Sequence, residues 1–229
     1  MSKISAGSYD LNKWLHGGYE SDIITVIYGP PGTGKTNFCL LTAVSQAKKG
    51  NKIIYIDTEG GFNIERIKQI YSKQEILKNI FLLKPMNFQE QKDEFVKLSQ
   101  YLKNVHKIGL IVVDGFTVLY RLSLADARNK GEGEIKKINS ELIEQTKILS
   151  EIARKKNIPV LVTNQMYKWE EMDRMVGGDI LKYWAKCEIE LVNDKGGRIA
   201  YLRKHRGLPE KSLEFNIINE GVKKRRLFS

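Results

Sequence analysis

The chain has 229 residues, of which 41% are hydrophobic, and these values predict one globular domain with a single well-formed core. Lys and Arg outnumber Asp and Glu by 38 to 27, and the resulting formal charge of +11 favours polyanionic partners. Residues 1–22 are polar and resemble neither a signal peptide nor a membrane span, so we expect a cytoplasmic protein without a membrane partner. Cys39 and Cys187 lack metal or redox spacing and are expected to be buried thiols.

An apolar run, Ile23 to Tyr28, ends in a glycine-rich stretch with the spacing of a phosphate-binding loop, or P-loop. The nucleotide-binding residues that this spacing predicts are Gly29, Pro30, Pro31, Gly32, Thr33, Gly34, Lys35, Thr36 and Asn37. Backbone amides of the loop and the start of the next helix would face a di- or triphosphate. Lys35 would reach the β- and γ-phosphates, and Thr36 would ligate Mg²⁺. The alternative is a glycine turn without a ligand.

Strand and helix patterns alternate after a short lead-in at 1–22, and strand patterns alone follow from Cys187 onward. This order predicts an α/β fold: a doubly wound, mostly parallel sheet with antiparallel C-terminal strands. Two polar segments without periodicity, 121–133 and 166–178, are predicted to be loops. Basic residues clustered at 198–206 and in a tail at 219–229 are candidate nucleic-acid surfaces, with a solvated lysine-rich surface as the alternative.

Ligands of such a sheet bind beyond the carboxyl ends of its strands. Asp114 ends the most apolar strand and is expected to hold Mg²⁺ through water, although it could simply stop the strand. Glu59 ends a strand that we expect beside the P-loop strand, where it could orient or deprotonate the attacking water. Alternatively, Asp57 and Thr58 cap a helix and Glu59 is a first-turn acid. Gln165 ends a third strand and could hydrogen-bond the γ-phosphate or a loop.

The guanine-selecting Asn-Lys-x-Asp motif does not occur in this sequence, so ATP is the expected nucleotide. A small-molecule P-loop kinase is disfavoured because no arginine-rich lid is evident. Two other classes stay open. One is a KaiC-like regulatory ATPase that acts through protein partners without binding DNA, and the other is a binding module in which the nucleotide is only a structural ligand.

Together, the motifs resemble those of the RecA-type recombinases, in the archaeal and eukaryotic branch that includes RadB, the short archaeal paralogue family of the recombinase RadA. The resemblance spans nearly the whole chain and is carried by residues 4–18, 55–60, 112–114 with 119–121, 162–165 and 177–180. It implies a RecA-like P-loop ATPase core. It also implies that Glu59 is the catalytic glutamate and that Gln165 couples ATP to DNA binding.

By that resemblance, 121–133 and 166–178 correspond to two loops that bind single-stranded DNA. The candidate DNA-binding residues in them are Arg128, Asn129, Lys130, Tyr167, Lys168, Trp169 and Arg174. Their cations suit phosphates and their aromatic rings suit stacking on bases. For the aromatic and methionine residues of the second segment, a partner-binding or capping surface is the alternative.

Full recombinases of this branch also carry an N-terminal DNA-binding domain and a Phe-x-x-Ala polymerisation motif, and this sequence contains neither. The resemblance therefore implies a slow, DNA-binding ATPase that assists homologous recombination and DNA repair. The implied partners are single-stranded, double-stranded or branched DNA, a RadA-type recombinase or other recombination proteins, and further copies of the chain. Lys204 and Arg206 resemble the Lys-x-Arg fingers that hexameric ATPases place on a neighbour's γ-phosphate, with DNA contacts or plain surface charge as alternatives.

Overall fold

The computed structural model describes the backbone of residues 2–169 and 172–225, and the side chains within these ranges except at 99, 167–169 and 172–174. Its helices are α1 (Tyr9–Trp14), α2 (Lys35–Lys48), α3 (Ile64–Ile70), α4 (Phe88–Asn104), α5 (Val118–Arg128), α6 (Glu132–Lys156) and α7 (Gly178–Trp184), with a 3-10 helix at Gln74–Asn79. Its strands are β1 (Lys3–Ile4), β2 (Tyr19–Glu20), β3 (Ile24–Gly29), β4 (Lys52–Asp57), β5 (Ile80–Leu83), β6 (Ile108–Asp114), β7 (Val160–Trp169), β8 (Met172–Met175), β9 (Cys187–Asp194), β10 (Gly197–His205), β11 (Lys211–Ile218) and β12 (Gly221–Lys224).

The main sheet of the described residues has the strand order β12-β11-β10-β9-β3-β7-β6-β4-β5, and β8 pairs with β7. Strands β9, β3, β7, β6, β4 and β5 run parallel to one another. Strands β10, β11 and β12 continue the sheet in antiparallel fashion. The predicted α/β fold with antiparallel C-terminal strands is therefore confirmed.

Helices cover both faces of this sheet, and this explains the uninterrupted apolar run of β6. Leu110 and Val112 face the core formed with α1, α2 and α3, whereas Ile111 and Val113 face the core formed with α4, α5, α6 and α7. All four side chains are fully buried. Because successive residues of a strand point to opposite faces, a strand between two helical layers needs apolar residues at every position.

The loop prediction for 121–133 is wrong, because residues 121–128 complete α5 and only 129–131 separate it from α6. The segment has good helix formers, and α5 buries Leu119, Tyr120 and Ala127, while its exposed face mixes charged residues with the apolar Leu122. Packing on α4 and α6 thus stabilises a helix whose apolar periodicity is difficult to recognise in the sequence.

The loop prediction for 166–178 is also wrong. Strand β7 continues to Trp169 and forms a hairpin with β8, in which Met166 opposes Met175 and Tyr167 opposes Arg174. Helix α7 then begins at Gly178. Hairpin pairing is a contact between two segments, which the weak alternation of either segment alone does not reveal.

The basic tail at 219–229 begins as part of the sheet. Strand β12 pairs with β11, the Lys224 amide donates to the Asp10 carboxylate at 2.7 Å, and Arg225 forms an ion pair with Asp194 at 3.4 Å. Residues 226–229 lie outside the described part of the chain. Cys39 and Cys187 are buried free thiols, as predicted. None of the described helices is both long enough and apolar enough to span a membrane.

Candidate active site

The P-loop lies between the end of β3 and the start of α2. Gly34, with a φ of +105°, is the N-cap residue of α2, and because glycine has no side chain the first-turn amides remain available to phosphate oxygens. Gly29 is required by packing, since a Cβ there would lie 2.1 Å from the Leu191 carbonyl oxygen. Thr33 Oγ1 donates to the Pro30 carbonyl oxygen at 2.8 Å and closes the loop.

The Lys35 side chain is buried against this loop. Its Nζ donates to the carbonyl oxygens of Gly29 and Pro30, both at 2.8 Å, which leaves the third ammonium donor for another acceptor. Burial lowers the pKa of Lys35, while the nearby carboxylates of Glu59 and Asp114 act in the opposite direction. The loop therefore holds a cation at the place where a polyphosphate would bring negative charge.

Asp114 ends β6 as a buried carboxylate surrounded by hydroxyl groups. Its Oδ1 accepts from Thr163 Oγ1 at 2.6 Å, and its Oδ2 accepts from the Tyr55 hydroxyl at 2.8 Å. Burial raises the pKa of Asp114, and hydrogen bonds from Thr163, Tyr55 and Thr36 partly offset that increase. Thr36 and Asp114 thus meet, and oxygen ligands of this kind suit Mg²⁺.

Glu59 lies at the solvent-exposed mouth of the same cleft, directly after β4. Its Oε2 accepts a 2.9 Å hydrogen bond from Gln165 Nε2, at the end of the β7 residues that pair with β3. Partial desolvation by surrounding atoms raises the pKa of Glu59, and the hydrogen bond from Gln165 lowers it. A carboxylate with a raised pKa is a better proton acceptor near neutral pH.

The helix-cap alternative for this segment is wrong. The Asp57 carboxylate accepts from the backbone amides of Glu59, Gly61 and Phe62 at 3.3, 3.0 and 3.0 Å, and it thereby folds the loop that presents Glu59. The N-cap of α3 is Asn63 instead, four residues after Glu59. Glu59 is consequently a loop residue whose side chain is free to face the cleft.

The predicted position of the Glu59 strand is wrong as well. Strand β3 lies between β7 and β9, so β7 and β6 separate it from β4. Gln165, rather than Glu59, follows the strand next to the P-loop. The two side chains still meet, because the loop after β4 reaches back across the end of β6: the Thr58 amide donates to the Asp114 carbonyl oxygen at 3.1 Å.

Sequence reasoning missed three supporting residues. Thr163 accepts from the Gly115 amide at 2.7 Å while donating to Asp114, and Tyr55 holds the second carboxylate oxygen. Asn164 is buried, and its Nδ2 donates to the Val176 carbonyl oxygen at 2.7 Å. The available signal was a set of hydroxyl and amide residues in otherwise apolar strands.

The candidate DNA residues lie in two separate segments. Arg128, Asn129 and Lys130 are exposed at the turn between α5 and α6. Those of the second segment, Tyr167, Lys168, Trp169 and Arg174, belong to the β7–β8 hairpin, but their side chains lie outside the described part of the structure. Their role in DNA binding stays a prediction.

Lys204 and Arg206 lie at the opposite end of the sheet from the P-loop, because β10 runs antiparallel to β9 and His205 pairs with Cys187. Arg206 donates to Glu20 at 2.6 Å and to Asp22 at 2.9 Å, and Lys204 forms a 3.3 Å ion pair with Glu188. Within one chain these cations cannot reach the P-loop. A finger role would require a neighbouring protomer and would compete with these ion pairs.

Comparison with known proteins identifies the family to which the chain belongs. The family model described as Rad51 matches residues 1–225. Proteins named "DNA repair and recombination protein RadB" are 42% identical in Methanococcus maripaludis and 40% identical in Methanocaldococcus jannaschii, and these matches cover 93% of this chain and 96% and 98% of the relatives. A protein of the same name from Methanobrevibacter smithii is 38% identical over 93% of this chain and 92% of its own length. The chain therefore belongs to the Rad51 family of RecA-type proteins, close to the archaeal proteins named RadB.

Proposed function

We propose that the chain binds ATP with Mg²⁺ at the P-loop, hydrolyses it slowly, and binds single-stranded DNA as an accessory of a RadA-type recombinase in homologous recombination and repair. The observation that carries the ATPase part is the convergence of Lys35, Thr36, Asp114, Glu59 and Gln165 at one edge of the sheet. Five residues from four separate segments meet where a P-loop would hold the terminal phosphate.

In this proposal each residue has a distinct task. Lys35 neutralises charge on the β- and γ-phosphates, and Thr36 and Asp114 hold Mg²⁺, the latter through water. Bound Mg²⁺ would supply the positive charge that the phosphate oxygens need. Glu59 accepts a proton from the attacking water, and Gln165 orients the Glu59 carboxylate through its 2.9 Å hydrogen bond.

The DNA part rests on how the cleft connects to the β7–β8 hairpin. Gln165 is followed at once by the β7–β8 hairpin, and Asn164 ties that hairpin to α5 through bonds to Val176 and the Thr117 hydroxyl. A change at the Glu59–Gln165 pair would therefore act on the base of the hairpin. The charge of +11 favours a polyanion, and the names of the relatives favour DNA, whether single-stranded, double-stranded or branched.

The test is binding to a fluorescent single-stranded oligonucleotide across a salt series, with no nucleotide, with ADP and with a non-hydrolysable ATP analogue. Wild type is compared with Lys35→Ala. The proposal expects affinity that falls steeply with salt and depends on nucleotide in the wild type alone. If no nucleotide state gives binding at physiological salt, the DNA role is wrong and a KaiC-like ATPase with protein partners becomes the better account.

The proposed assembly has its own test. If Lys204 and Arg206 complete a neighbour's site, turnover per chain should rise with protein concentration, and Lys204→Ala should abolish that rise without changing ATP affinity. We choose Lys204 because it is the more exposed partner of its ion pair, whereas Arg206 holds two acids together. Turnover that is independent of concentration would count against a homo-oligomeric ATPase.

A further inference from the structure

Arg198, near the start of β10, contacts the P-loop from outside the catalytic cluster. Its Nε and Nη2 both donate to the Gly32 carbonyl oxygen, each at 3.3 Å. Its Cδ lies close to the end of the loop, since a Cβ built on Gly34 would be 3.9 Å away from it. A guanidinium from the antiparallel part of the sheet thus rests against the loop that is expected to hold phosphates.

This arginine approaches from the side of β3 that is opposite the catalytic residues. Gln165 follows β7, and Asp114 and Glu59 follow strands beyond β7, so the terminal phosphate belongs on that side. Strands β9 and β10 lie on the other side of β3, and Arg198 comes from there. The part of a nucleotide that precedes its terminal phosphate would therefore extend toward Arg198.

Arg198 also differs from two nearby arginines, Arg203 and Arg206, in its ion pairing. Arg203 forms an ion pair with Glu190 at 2.6 Å, and Arg206 forms one with Glu20 at 2.6 Å. Among the described residues, Arg198 has no carboxylate partner within ion-pair distance. A guanidinium can donate several hydrogen bonds at once, and those of Arg198 that are not used on Gly32 remain for a phosphate.

The second arginine beside the P-loop helix shows the contrasting case. Arg66 donates to the Asn37 side chain at 2.8 Å, to the Gln69 side chain at 2.8 Å, and to the carbonyl oxygens of Ile218 and Asn219 at 2.8 and 3.0 Å. These bonds tie α2 and α3 to the β11–β12 turn. Arg66 is therefore a structural clamp, and Arg198 is the arginine with capacity for a ligand.

We infer that Arg198 is a nucleotide-binding residue that acts within its own chain, on a phosphate other than the γ-phosphate. The inference rests on the proposed function and extends it, because it adds a cation from the C-terminal strands to the P-loop. The inference requires that Arg198 contribute equally to the binding of diphosphates and of triphosphates. By contrast, residues at the Glu59 and Gln165 end distinguish ATP from ADP.

The experiment compares wild type with Arg198→Ala, Arg198→Gln and Arg198→Lys, and uses Arg203→Ala on the same strand as the matched control. Dissociation constants for ADP and a non-hydrolysable ATP analogue are measured by titration calorimetry, together with the melting temperature without nucleotide. We expect the Ala and Gln variants to bind both nucleotides about tenfold more weakly. The Lys variant should recover part of that loss, and Arg203→Ala should bind like wild type.

The Gln variant distinguishes a direct contact with the nucleotide from a structural role in supporting the P-loop. Its amide can still donate to the Gly32 carbonyl oxygen but carries no charge. If Arg198 only braces the loop, Arg198→Gln will bind nucleotide like wild type and the inference is overturned. A loss confined to the triphosphate would also overturn it. If wild type binds neither nucleotide, the proposed function itself fails, which differs from the case in which wild type binds and the Arg198 variants bind equally well.

Discussion

Gly115→Ala is the most informative single change at this site. Gly115 follows Asp114 and has a φ of +86°, a conformation that costs a residue with a Cβ about 1–2 kcal/mol. The added Cβ would lie 2.5 Å from Thr58 Oγ1 and 2.6 and 2.7 Å from Cγ and Oε1 of Glu59. The methyl group would therefore occupy the space that the Glu59 side chain now uses.

The cost divides between stability and catalysis. Thr58 Oγ1 donates to the Gly115 carbonyl oxygen at 2.7 Å, and displacing it should cost about 1 kcal/mol in addition to the backbone term. Glu59 is exposed and can swing aside, so its displacement should cost little stability. It would, however, move the proposed base away from the attacking water, and such a group contributes about 10²–10⁴-fold to a rate. We expect a loss of about 2–3 kcal/mol in the free energy of unfolding and a large loss of turnover.

The assays are urea unfolding, ATP affinity and single-turnover ATP hydrolysis. Gly50→Ala is the matched control, because Gly50 has a φ of +79° and a Cβ there would meet nothing within 4 Å. That variant should lose about 1–2 kcal/mol and keep wild-type turnover. If Gly115→Ala hydrolyses ATP as fast as Gly50→Ala, the proposal that Glu59 is the base is refuted.

Three further predictions follow from the same contacts. Burial raises the folded-state pKa of Asp114, so its ionised form costs stability above that pKa; Asp114→Asn should raise the melting temperature without nucleotide at pH 7 but not below about pH 3.5, and should abolish Mg²⁺-dependent ATP binding. Gln165→Ala removes the hydrogen bond that lowers the pKa of Glu59, so the acid limb of the pH–rate profile should move to higher pH. Arg206→Ala leaves Glu20 buried without its cation, and urea unfolding should show a loss of about 1–3 kcal/mol that Arg206→Lys partly restores.

Local patterns in the sequence were enough to predict many of the individual elements, and the edge of the sheet at which the candidate site residues lie. The P-loop spacing and the apolar run ending in Asp114 depend on neighbouring residues only. The sequence was enough to place Glu59 and Gln165 at this edge, because parallel strands present their carboxyl ends together, whatever the order of the strands.

Tertiary structure alone decided which of these elements are neighbours. Strand order placed β7 and β6 between β3 and β4, and a loop held by Asp57 brought Glu59 back to Gln165. Tertiary packing also stabilised segment 121–128 as a helix, and it brought the Arg198 side chain into contact with Gly32. Such contacts join residues far apart in the chain, where packing and burial outweigh local propensity. A single sequence records the local preferences but not the partner that each segment meets.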